Sequence, residues 1–238
     1  MILLPEHSIG VGYLARVFVE QIRSNQPELR ITDVDVLCVE IAGICHDLGH
    51  GPHSHMFDGK VIPQLYRLEG KRSKFIHEHA SIGIFDLLIE DNDLTQQFVA
   101  SKLTKDDIHF IKELILGDEK MAPSGHQWKG RPGKEFLFDI VANKRNGIDV
   151  DKFDYFKRDC RMLGISASFD DKRLMKFARV FNVEKEDGTL QAEICFHCKE
   201  AWNIHELFHT RYALHKRAYQ HRVHMAAELM LTGMPTSP

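Results

Sequence analysis

The sequence predicts a mainly α fold: a helical bundle carrying one small β-hairpin. Three observations predict it. Apolar residues recur at helical spacing through most of the 238 residues, helix caps punctuate those runs, and one two-strand pattern turns at Asp187-Gly188. Hydrophobic content of 43% and charged content of 27% describe an ordinary globular chain able to bury a core. A single domain over 1–238 accommodates this, with its core at about 6–180 and the hairpin and a basic helix at about 184–231.

Taken in order, Ile9, Leu14, Val17, Phe18 and Ile22 place an amphipathic helix over 6–24 behind an apolar start, Met1-Ile2-Leu3-Leu4. His7 stands near the open end of that helix, where an imidazole taken alone reads first as a cap or surface group and becomes a ligand only with partners from elsewhere in the chain. Ser24 to Arg30 is a loop. Thr32 and Asp35 then form a capping box ahead of Val36, Leu37, Val39, Ile41, Ala42 and Ile44, and Gly49 and Gly51 are expected to stop the helix. Gly49 to Gly59 is a Gly/Pro-interrupted segment displaying His50, His53, His55 and Asp58. Glu69 to Lys74 is a charged loop, and His77-Glu78-His79 opens a helix running through Ile89.

Leu94 to Leu116 holds two helices parted near Leu103-Thr104, and Gly117 to Lys134 is a long Gly/Pro/Lys loop. A helix from Val150 sets Asp151, Tyr155 and Asp159 on one face at steps of four, with Lys152 beside them. Phe169 to Val183 reads as a further helix carrying Asp170 and Arg173, and Glu184 to Ile194 as the hairpin. Asn203 to Leu231 reads as one long helix with a basic stripe (Arg211, His215, Lys216, Arg217, Arg222) and interleaved Tyr212 and Tyr219. Gly233 to Pro238 is a frayed tail.

The chemistry is carried by histidines and carboxylates. There are fifteen histidines and five scattered cysteines, an odd count that suits reduced intracellular thiols better than a disulfide framework. Met1 to Glu20 lacks a signal-peptide pattern, and no apolar run is long enough to span a bilayer. A net charge of -3 excludes a generally basic nucleic-acid binder, so any basic surface is local. Cys195-Phe196-His197-Cys198 lacks the second ligand pair of a zinc finger, and the Asp149–Asp154 run lacks EF-hand spacing. His46-Asp47 sits where an apolar helix runs out, a costly place for polar groups unless something pairs them. Together His7, His46, Asp47 and Asp151 supply two imidazoles and two carboxylates from three helices. Such a mixed N/O set suits iron, manganese, zinc or magnesium, with positions open for water and substrate.

The order H…HD…D is that of the HD-domain phosphohydrolases. The strings Glu6–Tyr13, Cys45–Pro52, Ser54–Gly59, Asn143–Lys152 and Phe208–Arg211 further resemble the SAM and HD domain-containing deoxynucleoside triphosphate (dNTP) triphosphohydrolases, over about Glu6 to Val223. The resemblance implies an all-helical HD core that cuts a dNTP to a deoxynucleoside and tripolyphosphate. It implies a metal (Fe, Zn or Mn) on His7, His46, Asp47 and Asp151, with Mg on the nucleotide phosphates. His55 takes the general-acid position, supported by Asp58, His77 and Glu78. His50, Lys152, Tyr155, Asp159, Arg211, Tyr219 and Gln220 fall at substrate-contact positions. Asp170, Arg173, Lys199, Asn203, His221 and Arg222 match parts of a region where GTP or dGTP and a second dNTP activate the enzyme and assemble dimers and tetramers.

The same resemblance implies a nuclear location, dNTP catabolism and antiviral defence. Leu4 and His197 stand where the family carries arginines. The SAM domain and the C-terminal lobe are expected to be absent, which makes this a truncated form. Two other readings remain at this level. One is an HD phosphohydrolase acting on nucleoside monophosphates or cyclic nucleotides; the other is a non-catalytic subunit binding single-stranded nucleic acid or full-length partners through its basic helix.

Overall fold

Helical periodicity becomes helix almost throughout the computed structural model, which describes residues 4–72, 75–186 and 188–233. The longest helix, α1 (Leu4–Asn25), turns Val11, Ala15, Phe18, Val19 and Ile22 inward, a stripe at steps of three and four. α2 (Asp33–Cys45) begins at the Thr32/Asp35 capping box: Asp35 N donates to Thr32 Oγ1 at 3.1 Å, and Thr32 N donates to Asp35 Oδ2 at 2.8 Å. Its buried Val36, Val39 and Ala42 face the core, and the helix packs on α1 and α6.

A wide π-type turn (Phe57–Val61) leads into α3 (Ile62–Leu68). α4 (His77–Asp91), α5 (Thr95–Ala100) and α6 (Lys105–Leu116) follow, α6 opened by a second capping box between Thr104 and Asp107. The 117–134 loop holds a single short 3₁₀ turn, Glu119–Met121, and precedes α7 (Phe138–Val141). α8 (Val150–Leu163), capped by Asp149, packs on α1 and buries Val150, Phe153, Phe156 and Cys160. α9 (Asp171–Phe177) is capped by Asp170. Strands β1 (Arg179–Glu184) and β2 (Leu190–Cys195) pair antiparallel with Val180 opposite Ile194. The chain continues through α10 (Ala201–Leu214), a π-type turn (His215–Tyr219) and α11 (Arg222–Thr232). One apolar cluster joins residues from Val11 to Leu214.

The hairpin is docked by polar side chains as well as by its apolar face. The Gln26 amide pairs with Val180, accepting from its N–H (2.6 Å) and donating to its carbonyl (3.0 Å). On the other strand Asp139 accepts from Ile194 N (3.1 Å), while Arg145 donates to the Ile194 carbonyl (3.2 Å) and pairs with Asp139 (2.7 Å) and Glu193 (2.9 Å).

Three expectations are corrected. The helix expected over Phe169–Val183 stops at Phe177, because Val180 to Val183 find strand partners eight to fourteen residues on, a pairing that no local pattern discloses. The helix expected over Asn203–Leu231 breaks at Gln220, and His221 caps α11 by accepting from Val223 N. Gly49 and Gly51 are not left-handed stops, since α2 ends four residues before Gly49 and neither glycine has positive φ. Gly49 instead permits a close approach: a Cβ there would lie 2.1 Å from the His77 carbonyl oxygen. Expectations for residues 1–3, 73–74, Asp187 and 234–238 lie outside the described residues. All five cysteines are free, and among the described residues no helix is long and apolar enough to cross a membrane.

Candidate functional site

α1, the end of α2 and the first turn of α8 meet at one corner of the bundle. His7 Nε2 lies 3.2 Å from Asp151 Oδ1 and 3.5 Å from Asp47 Oδ2; His46 Nε2 lies 3.3 Å from Asp47 Oδ1 and 3.5 Å from Asp151 Oδ1. Residues 144 positions apart in the chain thus share one small space. The imidazoles are aimed by groups behind them. His7 Nδ1 donates to Asp154 Oδ2 (2.8 Å), and Arg158 grips Asp154 through Nε (2.9 Å) and Nη2 (2.7 Å). His46 Nδ1 donates to the Gly43 carbonyl (2.8 Å), and Ser81 Oγ holds the His46 carbonyl at 2.7 Å. Such outer partners fix the tautomer and turn Nε2 toward the centre.

The donor set fits a divalent cation. The ligand atoms of His7, His46 and Asp151 all lie within 4.8 Å of one another, and His46 Nε2 is buried with no hydrogen-bond partner. Burial opposes charge on His7, yet Asp151, Asp154 and Asp47 outweigh it and push its pKa up to about 11. Burial opposes charge on His46 as well, yet Asp47 and Asp151 push its pKa up to about 9. Burial opposes the ionised form of Asp151 too, but His46 and His7 hold it well below the usual carboxylate range. The corner therefore attracts positive charge, and protons compete with a cation for the same nitrogens.

A second histidine group abuts it. His50 Nδ1 donates to Asp58 Oδ2 (2.9 Å), His77 Nδ1 lies 3.2 Å from the same oxygen, and the two rings stack at 3.9 Å. His50 Nε2 is 3.7 Å from Asp47 Oδ1, which links the two groups. His55 is exposed, its ring 5.1 Å from that of His50. Glu78 is tied to Lys144 (3.0 Å) and lies 3.3 Å from His77, whose pKa burial and His50 hold below its usual value.

Along α8, the Tyr155 ring meets His7 edge-on at 6.3 Å, and Asp159 accepts from the Tyr219 hydroxyl at 2.5 Å. Burial pushes both tyrosine pKa values up. Lys152 is turned onto Asp149 (2.9 Å), whose carboxyl burial raises to about 6 against the pull of that ammonium. Arg211 and Gln220 are exposed, with Arg211 close enough to Tyr155 and His215 for its charge to act on both.

Asp170, Arg173, Lys199 and Asn203 gather elsewhere. Asn203 bridges the backbone of Asp170 (2.8 and 2.9 Å), Arg173 pairs with Glu200 (2.7 Å), and Arg173, Lys199 and Asn203 line one cleft. His221 and Arg222 lie apart in the chain, at the start of α11. Sequence reasoning missed Asp154, Arg158 and Ser81. The one available signal was Gly10: a Cβ there would lie 2.1 Å from Asp154 Oδ1, so the bare backbone of α1 lets that carboxylate in behind His7.

Comparison with known sequences decides the family, since the HD domain profile matches residues 5–158. The chain belongs to the HD-domain family. Curated HD relatives include the deoxynucleoside triphosphate triphosphohydrolase SAMHD1 of Mus musculus, 49% identical over 237 residues, and that of Homo sapiens, 50% identical over 233. A Dictyostelium discoideum protein named as a homolog of that enzyme is 44% identical over 227 residues. Each alignment covers 95% of this chain but only 35%, 36% and 38% of the respective relative, so the chain spans about a third of the length of the curated relatives it matches.

Proposed function

We propose that this HD domain hydrolyses deoxynucleoside triphosphates to a deoxynucleoside and intact tripolyphosphate. One observation carries the reading: the His7, His46, Asp47, Asp151 corner abuts the His50–Asp58–His77 group, in a chain half identical to proteins named for that reaction. A divalent cation (Fe, Zn or Mn) held by those four corner groups would make a water at the site more acidic. In the hydrolysis a water oxygen bonds to the α-phosphorus, the bond from phosphorus to the 5′-oxygen breaks, and that oxygen takes a proton.

His55, exposed at the lip, supplies the proton. Asp58 and the stacked His50 and His77 carry its replacement inward, with Glu78 fixing His77. Lys152 and Arg211, with Mg on the nucleotide, take the phosphates, and Lys152 leaves Asp149 to do so. His50 faces the α-phosphate. Tyr155 packs under the sugar and leaves no room for a 2′-hydroxyl, while Tyr219 holds Asp159 toward the 3′ side and Gln220 borders the same space. Asp170, Arg173, Lys199 and Asn203, joined by His221 and Arg222, serve guanine-nucleotide and dNTP activation of a dimer or tetramer; residues 1–238 act as one unit, and the location is nuclear.

Purified chain is incubated with each dNTP, GTP and Mn, Fe or Zn, and the products are separated by ion-exchange chromatography. Deoxynucleoside and tripolyphosphate in equal amounts are expected, and Asp151→Asn removes both. No turnover with any metal overturns the assignment, and a mono- or cyclic-nucleotide activity redirects it. Exposed Arg211, Lys216, Arg217 and Arg222 favour a second reading, binding of single-stranded nucleic acid. Steeply salt-dependent binding without turnover identifies that case.

A further inference from the structure

α4 turns one stripe inward: Glu78, Ser81, Phe85 and Ile89, at steps of three and four, are all buried. Phe85 and Ile89 are ordinary core residues. Ser81, with no part of it exposed, puts a hydroxyl where an apolar side chain would pack, and that burial is costly unless the hydroxyl is bonded. A serine inside a helix commonly bonds back to the carbonyl four residues before it. Ser81 turns to another segment: its Oγ accepts from Gly49 N (2.8 Å) and donates to the His46 carbonyl (2.7 Å). α2 ends at Cys45, so both backbone groups belong to the turn that follows it and carries His46, Asp47 and His50.

The two backbones touch at the same place. A Cβ on Gly49 would lie 2.1 Å from the His77 carbonyl oxygen and 2.4 Å from Ser81 N, so the 46–50 turn rests directly on the first turn of α4. That first turn opens with His77, whose ring stacks on His50 at 3.9 Å and whose Nδ1 lies 3.2 Å from Asp58 Oδ2. Glu78, the next residue, reaches Lys144 (3.0 Å) in the stretch that leads into α8 and Asp151. α4 supplies none of His7, His46, Asp47 and Asp151, yet it holds the segments that bear the last three. Ser81 is where it takes hold of the turn shared by both groups: Asp47 belongs to the corner and His50 to the stacked pair, 3.7 Å apart.

We propose that Ser81 is a positioning residue: its hydroxyl locks the 46–50 turn onto α4 and so sets the spacing between the corner and the His50–Asp58–His77 group. It acts through His46, Asp47 and His50, by way of the backbone between them. Its part in catalysis rests on the phosphohydrolase reading of those two groups. Asp154 aims one ring of the corner from behind, whereas Ser81 sets two groups against each other, so its loss is felt in both.

The test reads both groups in the full chain without turnover. Electron paramagnetic resonance of free Mn²⁺ reports on the corner. Ring-nitrogen NMR shifts of isotopically labelled histidines in the metal-free chain, assigned with His50→Gln and His77→Gln, report on the stacked pair. Ser81→Ala lowers Mn²⁺ affinity about tenfold and moves the His50 and His77 signals. Gly49→Ala, whose methyl meets the His77 carbonyl, does the same. Asp154→Asn lowers the affinity and leaves the His50 and His77 signals in place. The wild type supplies a readout that no folding failure removes: the Gly49 amide exchanges with solvent as slowly as those of Phe85 and Ile89. Unmoved His50 and His77 signals or an unchanged Mn²⁺ affinity in Ser81→Ala overturns the proposal, and so does a Gly49 amide that exchanges at the rate of an open loop. A chain that shows these signatures but hydrolyses no dNTP overturns the reaction and leaves the joint standing.

Discussion

Asp154→Asn removes the charge that aims His7 while keeping the side chain's shape. Asp154 is buried and accepts three charge-assisted hydrogen bonds, one from His7 Nδ1 and two from Arg158. An amide cannot accept all three, because its NH2 must replace either Oδ2, which faces His7 and Arg158 Nε, or Oδ1, which faces Arg158 Nη2. Facing His7, it donates to Nδ1 and drives the ring proton to Nε2, the nitrogen turned toward Asp47 and Asp151. Facing Arg158, it sets donor against donor. Loss of an orienting partner of this kind lowers metal affinity about 10–100-fold, roughly 1.4–2.7 kcal/mol. The unmatched group costs about 1–3 kcal/mol of fold stability, or a fall in Tm of roughly 2–12 °C for a chain of this size. Electron paramagnetic resonance of free Mn²⁺ measures the affinity, and a melt in chelator measures the stability. Unchanged Mn²⁺ affinity together with an unchanged melt would refute the claim that Asp154 positions His7.

Gly10→Ala sets a methyl 2.1 Å from Asp154 Oδ1 and should cost about 1–3 kcal/mol in a denaturant melt, with Mn²⁺ affinity falling alongside. Asp35 is fully buried; burial would raise its pKa, but Lys134, Thr32 and Arg131 win and hold it below the usual value. Its contribution is therefore complete above the unfolded pKa of roughly 3.9 and lost as pH falls through the lower folded one. Acid titration followed by circular dichroism should show a steeper loss below about pH 4 in the wild type than in Asp35→Asn. Tyr219→Phe removes a short bond to the buried Asp159 carboxylate and should cost about 1.5–3 kcal/mol by urea melt.

Much of this was readable before any coordinates. The His46-Asp47 helix announces itself through its capping box, and the α8 face through steps of four, because both are local patterns. His7, Asp47 and Asp151 needed no contact information to be grouped, since few pairings other than a cation suit imidazoles and carboxylates at the ends of apolar helices. Asp154 was not legible, because in the chain it is one more charge in a charged helix, and its role exists only through α1 packed across it. β1 failed for a related reason: Val180 and Phe181 continue a helical-looking pattern, and only the partner strand makes them extended. The break at Gln220 is tertiary as well, since the widened turn before it carries Tyr219 to Asp159 on α8.

The anchoring of the hairpin has a consequence for self-association. A two-stranded ribbon ordinarily presents two unzipped margins, each an invitation to a neighbouring chain. Here both margins are stoppered at the same rung: Gln26 occupies the outward N–H and carbonyl of Val180, and Asp139 with Arg145 occupies those of Ile194 directly across from it. Sliding the strands by a single residue would swing Glu193 away from Arg145 and empty both stoppers together, so the ribbon is held against slippage and against recruitment of a third strand by the same few side chains.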